Sequence, residues 1–311
     1  MVDQPSPDRP FRLGTRRSPL AMAQAEETRR RLCDAHGWDE SWVELVPVIA
    51  SGDKIQDRPL AEIGGKALWT RELDMWLDEG RIDAAVHSMK DVETLRPDSL
   101  AIAAILPRAD KADVLLGALS IDSLPQGATI GTSAPRRAAQ LLHARPDCKV
   151  VMFRGNVATR RAKLAAGEVD ATFLAAAGLA RLGEGGIGTR LDPEDWLPAP
   201  AQAAIGIECR GSDEAATRFL KAIDDAPSHA EVMAERALLA ALGGSCHSAV
   251  ACLTVRGEGG LVLHAAIFSP DGAERIAGEQ RFAEGDPAGP TALAEELLAR
   301  APLSVRETFQ A

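Results

Sequence analysis

The chain has 311 residues, 46% of them hydrophobic and 26% charged, enough for two or three domains of ordinary size and no ground for extended disorder. A formal net charge of -10 and the lack of any tyrosine exclude the usual nucleic-acid binder, which carries excess Lys and Arg and stacks bases on aromatic rings. Five cysteines (Cys33, Cys148, Cys209, Cys246, Cys252), an odd number without C-x-x-C or Cys/His metal spacing, suggest neither a disulfide framework nor a zinc site. Reduced thiols in the cytoplasm fit best. The opening MVDQPSPDRPF lacks the apolar core of a signal peptide, and no later stretch offers ~18 uninterrupted apolar residues. Neither export nor a membrane span is expected.

In chain order, a strand around Phe11–Gly14 runs into a helix from Pro19 to His36, with Ser18 as N-cap, Pro19 at the first helical position and Gly37 just past the end. Trp42–Ile49 reads as a strand. A polar loop with Gly52, Gly64 and Gly65 follows, then a helix whose apolar positions Trp69, Leu73, Trp76 and Leu77 keep helical spacing. The strand Ile82–Val86 ends in HSMKD. The same strand-to-helix grammar returns at Ala128–Gly131 into SAPRRAAQLL, Lys149–Phe153 into NVATRRAKLAA and Val169–Leu174 into AAAGLARL. Such alternation implies parallel sheets with helices on both faces. The break near Pro107–Asp113 reads as a crossover between two α/β domains, and Ala203–Cys209 with the helix after it as a return to the first. From Pro227 a long helix, GGSCHS, three alternating runs (248–256, 260–268, 276–282) and a last helix at 290–300 suit a small α+β domain with an antiparallel sheet.

Charge is unevenly spread. Residues 131–163 hold eight Lys or Arg against one acid, Asp147, so an acidic chain keeps one basic region. Arg16, Arg17, Arg136, Arg137, Arg154 and Arg160 fall at or near strand-to-helix turns, where open α/β sheets bind anions. Arginine grips a carboxylate with two parallel hydrogen bonds, so the set predicts a cleft for a carboxylate-rich small molecule; six solvated surface arginines are the bland alternative. In HSMKD, Asp91 is placed to stabilise positive charge or pass a proton, or else is a turn aspartate paired with Lys90. Cys246 sits in a glycine-preceded loop, unlike the other four cysteines, and reads either as an accessible thiol beside His247 or as a packed small hydrophobe. The loop ending in Gly65–Lys66 is no phosphate loop, because Leu60 stands in the place of the first glycine and Ala67 follows Lys66. It reads as a segment able to cover a cleft.

GTRRSPLA, GGKALW, AAVHSMKDV, GTSAPRR, RGNVATR, AAAGLARLG, IGIECR and GGSC follow one another, from residue 11 onward, as in the porphobilinogen deaminase (hydroxymethylbilane synthase) family, which the chain resembles. The resemblance implies two α/β domains like periplasmic binding proteins (11–106 with 203–224, and 111–199) and a third, α+β domain (227–311). It implies a transferase of tetrapyrrole and heme biosynthesis that joins four porphobilinogens head to tail on a covalent dipyrromethane primer, losing ammonia each time, and then releases hydroxymethylbilane by hydrolysis. The dipyrromethane would be carried by Cys246, and Asp91 would be the catalytic carboxylate, contacting pyrrole N–H groups and stabilising the azafulvene electrophile. Lys90, Arg136, Arg137, Arg160, Ser88, Thr132 and Ser133 would hold the cofactor, and Arg16, Ser18, Arg154, Arg181 and Lys66 the substrate. No metal is implied, and the family suggests a monomer.

Four segments depart from the family pattern. Ala201-Gln202-Ala203-Ala204 replaces G-Q-G-A, Ala134 and Pro135 replace a serine and a leucine, Ala180 replaces a lysine often seen before Arg181, and HSAVA after Cys246 lacks a proline. If either lost glycine has positive φ, alanine there costs about 1 kcal/mol. Two other readings compete: a two-lobed carboxylate-binding protein without chemistry, and an inactive paralogue that keeps the cleft.

Overall fold

The first stretch of the chain runs β1 (Phe11–Arg16), α1 (Pro19–His36), β2 (Val43–Val48), α2 (Arg71–Asp78), β3 (Ala84–Ser88) and β4 (Leu100–Ile105) in a computed structural model that describes residues 4–48 and 70–309. The ends of α1 follow from the sequence. Ser18 accepts a hydrogen bond from the Ala21 N–H, Pro19 starts the first turn, and Gly37 at φ 67° lets its N–H close on the Cys33 carbonyl. On α2, Leu73 and Leu77 are buried and Trp76 packs against them, as helical spacing requires; Trp69 and Lys66 lie outside the described residues.

The chain then builds a second sheet through β5 (Asp113–Leu116), β6 (Thr129–Gly131), α3 (Pro135–Ala144), β7 (Lys149–Val151), α4 (Val157–Ala165), β8 (Ala171–Ala175), α5 (Ala176–Arg181) and β9 (Thr189–Arg190). Next come β10 (Ile205–Arg210) and α6 (Glu214–Lys221), which rejoin the first sheet, and α7 (Ala226–Ala241). The last part is β11 (Val250–Gly257), β12 (Gly260–Phe268), β13 (Arg275–Phe282), α8 (Ala288–Arg300) and α9 (Leu303–Arg306).

Contacts divide the chain into two units, Met1–Ala109 with Ala203–His229, and Asp110–Gln202 with Ala230–Ala311. The first holds a sheet in the order β2-β1-β3-β10-β4, in which β2, β1 and β3 are parallel and β10 runs antiparallel to both its neighbours. The second repeats the plan as β7-β6-β8-β5-β9, with β5 as the antiparallel insert. In the first, β1 and β3 end at a helix start and a 3-10 turn, and in the second, β6, β7 and β8 end at loops and helix starts, the usual place for ligands in α/β sheets. The β11-β12-β13 sheet is antiparallel throughout, as the alternating runs predict.

Leu13, Leu32, Val86, Ile207, Phe219 and Leu220 form the core of the first sheet. Leu115, Ile130, Leu141, Phe173 and Trp196 do so for the second, with the Phe173 and Trp196 rings stacked 5.1 Å apart. Leu238, Leu263, Ile267, Leu293 and Leu297 pack the α7, α8 and β11–β13 layer. Strands β4 and β5 escape the sequence pattern, since LAIAAI and DVLL are short apolar runs without alternation and periodicity cannot tell these from buried helix; β9 is two residues long, too short to show a period.

Candidate functional site

In the first unit β1 ends at Arg16, and β3 ends at Ser88 and passes directly into a single 3-10 turn, Met89–Asp91. The turn is seated from below by Met89, which is fully buried, and by the Met89 N–H bonded to the Ala204 carbonyl at 3.1 Å. Gly206 on β10 makes room for it: a Cβ there would stand 2.0 Å from the Met89 Sδ. With Met89 turned inward, Lys90 and Asp91 come out half-buried on the open side. Ser88 is tied to α1 by a 2.9 Å bond from the Gln24 side-chain amide, and Ser18 spends its oxygen on the Ala21 N–H. Thus Arg16, Ser18, Ser88, Lys90 and Asp91 share one unit, at the ends of the paired strands β1 and β3.

Beneath that turn lies a buried charge network on which sequence reading was silent. Glu208 of β10 has no exposed surface and takes two bonds from Arg96, Nε to Oε1 and Nη2 to Oε2, both 2.8 Å. Arg96 also donates to Asp74 at 2.6 Å and Glu93 at 2.8 Å. His87, one residue before Ser88, places Nε2 3.1 Å from Glu208 Oε2, close enough to interact though not aligned as a hydrogen bond. Burial alone would raise the Glu208 pKa; the His87 contact and the twin Arg96 bonds outweigh it and hold the group at about 2. The carboxylate is therefore ionised, and it braces β3 against β10.

In the second unit Thr132 and Ser133 follow β6. Thr132 Oγ1 accepts from the Ala134 N–H at 3.2 Å and Ser133 Oγ from the Phe153 N–H at 3.2 Å. Ala134 is the N-cap of α3 and offers no side-chain bond, so the serine missing here is a missing helix cap, worth about 1 kcal/mol. Asn156 of RGNVATR caps α4 by accepting from the Thr159 N–H at 2.9 Å, which explains the motif's asparagine structurally. Arg154 stands before that cap, Arg160 on the first turn and Arg181 at the end of α5; all three are half-buried, and Arg160 Nε donates to the Gly155 carbonyl at 3.0 Å.

Arg136 and Arg137 do not stand open at their turn as the sequence leads one to expect. Both are buried and grip Asp113 at the start of β5: Arg136 Nη2 at 2.7 Å from Oδ2, and Arg137 Nε and Nη2 at 3.1 and 2.7 Å from the two oxygens. Asp113 also accepts from Trp196 Nε1 at 3.0 Å and the Gln202 amide at 2.9 Å. Burial would raise its pKa, but the two guanidinium charges hold it far below the carboxylate range. The cluster pairs two cations with Asp113, and the buried Nε of Arg136 finds no acceptor among the described residues. An incoming carboxylate would answer both.

Gln202 reaches Asp113 because both its neighbours are left-handed: Ala201 has φ 57° and Ala203 φ 71°. These are the positions where glycine was missed, and the strain expected of alanine is present. Glu235, fully buried on α7, receives the Ala201 N–H at 2.7 Å and the Thr254 N–H at 3.1 Å and so anchors the turn.

Cys246 follows α7 in a tight loop. The Ser245 N–H donates to Ser248 Oγ at 3.0 Å, the Ser248 N–H to the Ser245 carbonyl at 3.0 Å, and the His247 N–H to Ser245 Oγ at 3.2 Å. Of five cysteines it alone is exposed, and its Sγ lies 3.4 Å from His247 Nδ1. The buried-hydrophobe reading of Cys246 is thereby replaced by an accessible thiol. It shares the second unit with Thr132, Ser133, Arg136, Arg137, Arg154, Arg160 and Arg181. Among the described residues no cluster of His, Cys, Asp and Glu suits a metal ion, and no helix is long and apolar enough to cross a membrane.

Two family descriptions match the chain: "Porphobilinogen deaminase, dipyromethane cofactor binding domain" over residues 11–218 and "Porphobilinogen deaminase, C-terminal domain" over 229–300. The porphobilinogen deaminase of Sphingopyxis alaskensis is 55% identical over 99% of both chains, and that of Paracoccus denitrificans 48% identical over 97% of this chain and 98% of its own. Among solved structures, the periplasmic VFT2 domain of Bordetella pertussis BvgS overlaps 72% of this chain and 92% of its own at 18% identity and a TM-score of 0.41.

Proposed function

The chain belongs to the porphobilinogen deaminase family, and on that premise we propose that Asp91 is its catalytic carboxylate and Cys246 the residue that carries its cofactor. The family activity is a transferase reaction, the head-to-tail condensation of four porphobilinogens on a covalent dipyrromethane primer with loss of ammonia, followed by hydrolysis to hydroxymethylbilane. The exposure of one thiol in five is the observation that carries the assignment of Cys246. The two-cation cluster around Asp113, with an unanswered N–H on Arg136, is chemistry that suits a polycarboxylate such as dipyrromethane.

When bound, dipyrromethane supplies the terminal pyrrole carbon to which the first substrate is joined. The chain's own residues do the rest. Asp91, lifted out of the core by the inward Met89, accepts pyrrole N–H groups and stabilises positive charge that develops on the substrate ring as ammonia leaves. Lys90, Arg136, Arg137 and Arg160 hold cofactor carboxylates, and Arg16, Arg154 and Arg181 those of the substrate, through charge-assisted bonds. Each pyrrole brings two carboxylates, which accounts for a basic region in a chain of net charge -10. Ser18, Thr132 and Ser133 have their oxygens fixed by backbone N–H groups, so each can turn its own O–H toward a ligand. Ser88 is held by Gln24, accepting from its amide N–H at 2.9 Å and within donating distance of its amide oxygen at 3.1 Å, and would offer its O–H to the cofactor by exchanging that second bond; Lys66 joins the substrate set. We infer a cytoplasmic monomer with porphobilinogen and not nucleic acid as its partner; the monomer follows the family resemblance, while cysteines without paired spacing and an acidic composition support the location and the partner.

Asp91→Ala tests the central assignment. Its chemical-denaturation midpoint should match the parent, while porphobilinogen consumption falls by about two orders of magnitude or more. Turnover near the parent's would remove Asp91 from the mechanism.

A further inference from the structure

We propose that His247 is the base that removes the proton from the Cys246 thiol when the cofactor is first attached, an inference that rests on the reading of Cys246 above. A thiol of ordinary pKa is only a few per cent thiolate at neutral pH, and the thiolate is the nucleophile. The Cys246 sulfur therefore gains from a proton acceptor within reach. His247 supplies one, with Nδ1 3.4 Å from Sγ, a normal separation for a hydrogen bond to sulfur.

Adjacent residues in an extended segment point apart, so this contact is made by the loop. Ser245 and Ser248 close it with two mutual bonds, and Ser245 Oγ takes the His247 N–H, folding residue 247 back toward 246. Gly243 enters the loop at φ 69°, beside the Phe309 carbonyl, which fixes its approach from α7.

The step balances as follows. The thiol proton passes to His247 Nδ1, and the sulfur lone pair forms the C–S bond to the methylene carbon of an aminomethylpyrrole, whose protonated amine leaves as ammonia with the C–N electron pair. The imidazolium then returns its proton to that ammonia, which departs as ammonium. Thiol and protonated aminomethylpyrrole give thioether and ammonium, with no oxidant or other reactant.

The experiment uses the full chain prepared without access to porphobilinogen. Porphobilinogen is added to the parent, His247→Gln and His247→Ala, and the gain of the cofactor increment is followed by intact mass, with iodoacetamide labelling of Cys246 measured in parallel by peptide mapping. Both variants should load, and label at Cys246, about tenfold or more slowly than the parent, and added imidazole should restore part of the rate to His247→Ala. A merely structural histidine would show no rescue by imidazole. Loading of both variants at the parental rate overturns the role of His247. A parent that gains no mass at Cys246 overturns instead the assignment of the cysteine.

Discussion

Ala201 and Ala203 adopt left-handed backbone at φ 57° and 71°, a conformation that costs a non-glycine residue roughly 1–2 kcal/mol. Both methyls are buried, and removing one forfeits about 0.8 kcal/mol of burial. Glycine's freer unfolded chain costs roughly 0.5–1 kcal/mol more, so strain relief nearly offsets the losses and Ala203→Gly should leave the urea midpoint close to the parent's at unchanged slope. A fall of about 1.5 kcal/mol, the full cost of burial and chain entropy, would mean that the turn carries no strain. The turn holds nonetheless, because Glu235 takes the Ala201 N–H and Gln202 is locked between Lys111 and Asp113. The missing glycines were visible in the sequence. Their φ values were not, because backbone sign at a turn is set by what the middle residue must reach, and Asp113 gave no signal of its own.

At the scale of the elements, β3 is held in place by what lies under it as much as by its sheet partners. Glu208 is ionised in the fold at a pKa of about 2 against an ordinary value near 4.5, a depressed carboxylate. Its contribution is therefore fully present above about pH 4.5 and is lost as pH falls through the window down to about 2. The shift corresponds to about 3 kcal/mol. Urea midpoints should drop between pH 5 and pH 3, and drop less in Glu208→Gln, which has no charge to lose; equal pH slopes in the two proteins would contradict the network. The sequence marks HSMKD by Asp91 and Lys90 at a strand end. It does not mark the supports, since Arg96, Asp74 and Glu208 lie on separate segments and only the β3–β10 pairing brings them under one strand. Helix α1 was legible to its caps, because Ser18, Pro19 and Gly37 act locally; the Asn156 cap of α4 acts as locally, yet the motif's asparagine gave no separate signal.

For the whole molecule, a chain of net charge -10 still contains a basic stretch, and the fold uses that stretch in two ways. Arg136 and Arg137 are drawn inward to Asp113 and stabilise the second sheet, while Arg154, Arg160 and Arg181 remain at helix ends and loops. From sequence the two groups look alike, since each follows a strand; only the depth of the α3 start separates them. The repeated sheet plan, three parallel strands with one antiparallel insert, likewise depends on β5 and β10 exchanging places along the chain, which no local pattern encodes. The family assignment turns this scaffold into a porphobilinogen-condensing enzyme whose primer is its own covalent group. The most direct test is the intact mass of the freshly purified protein. The parent should exceed its chain mass by two porphobilinogens less two molecules of ammonia, and Cys246→Ala should show the bare chain. An active parent at the bare mass, or the same increment on Cys246→Ala, would contradict the account.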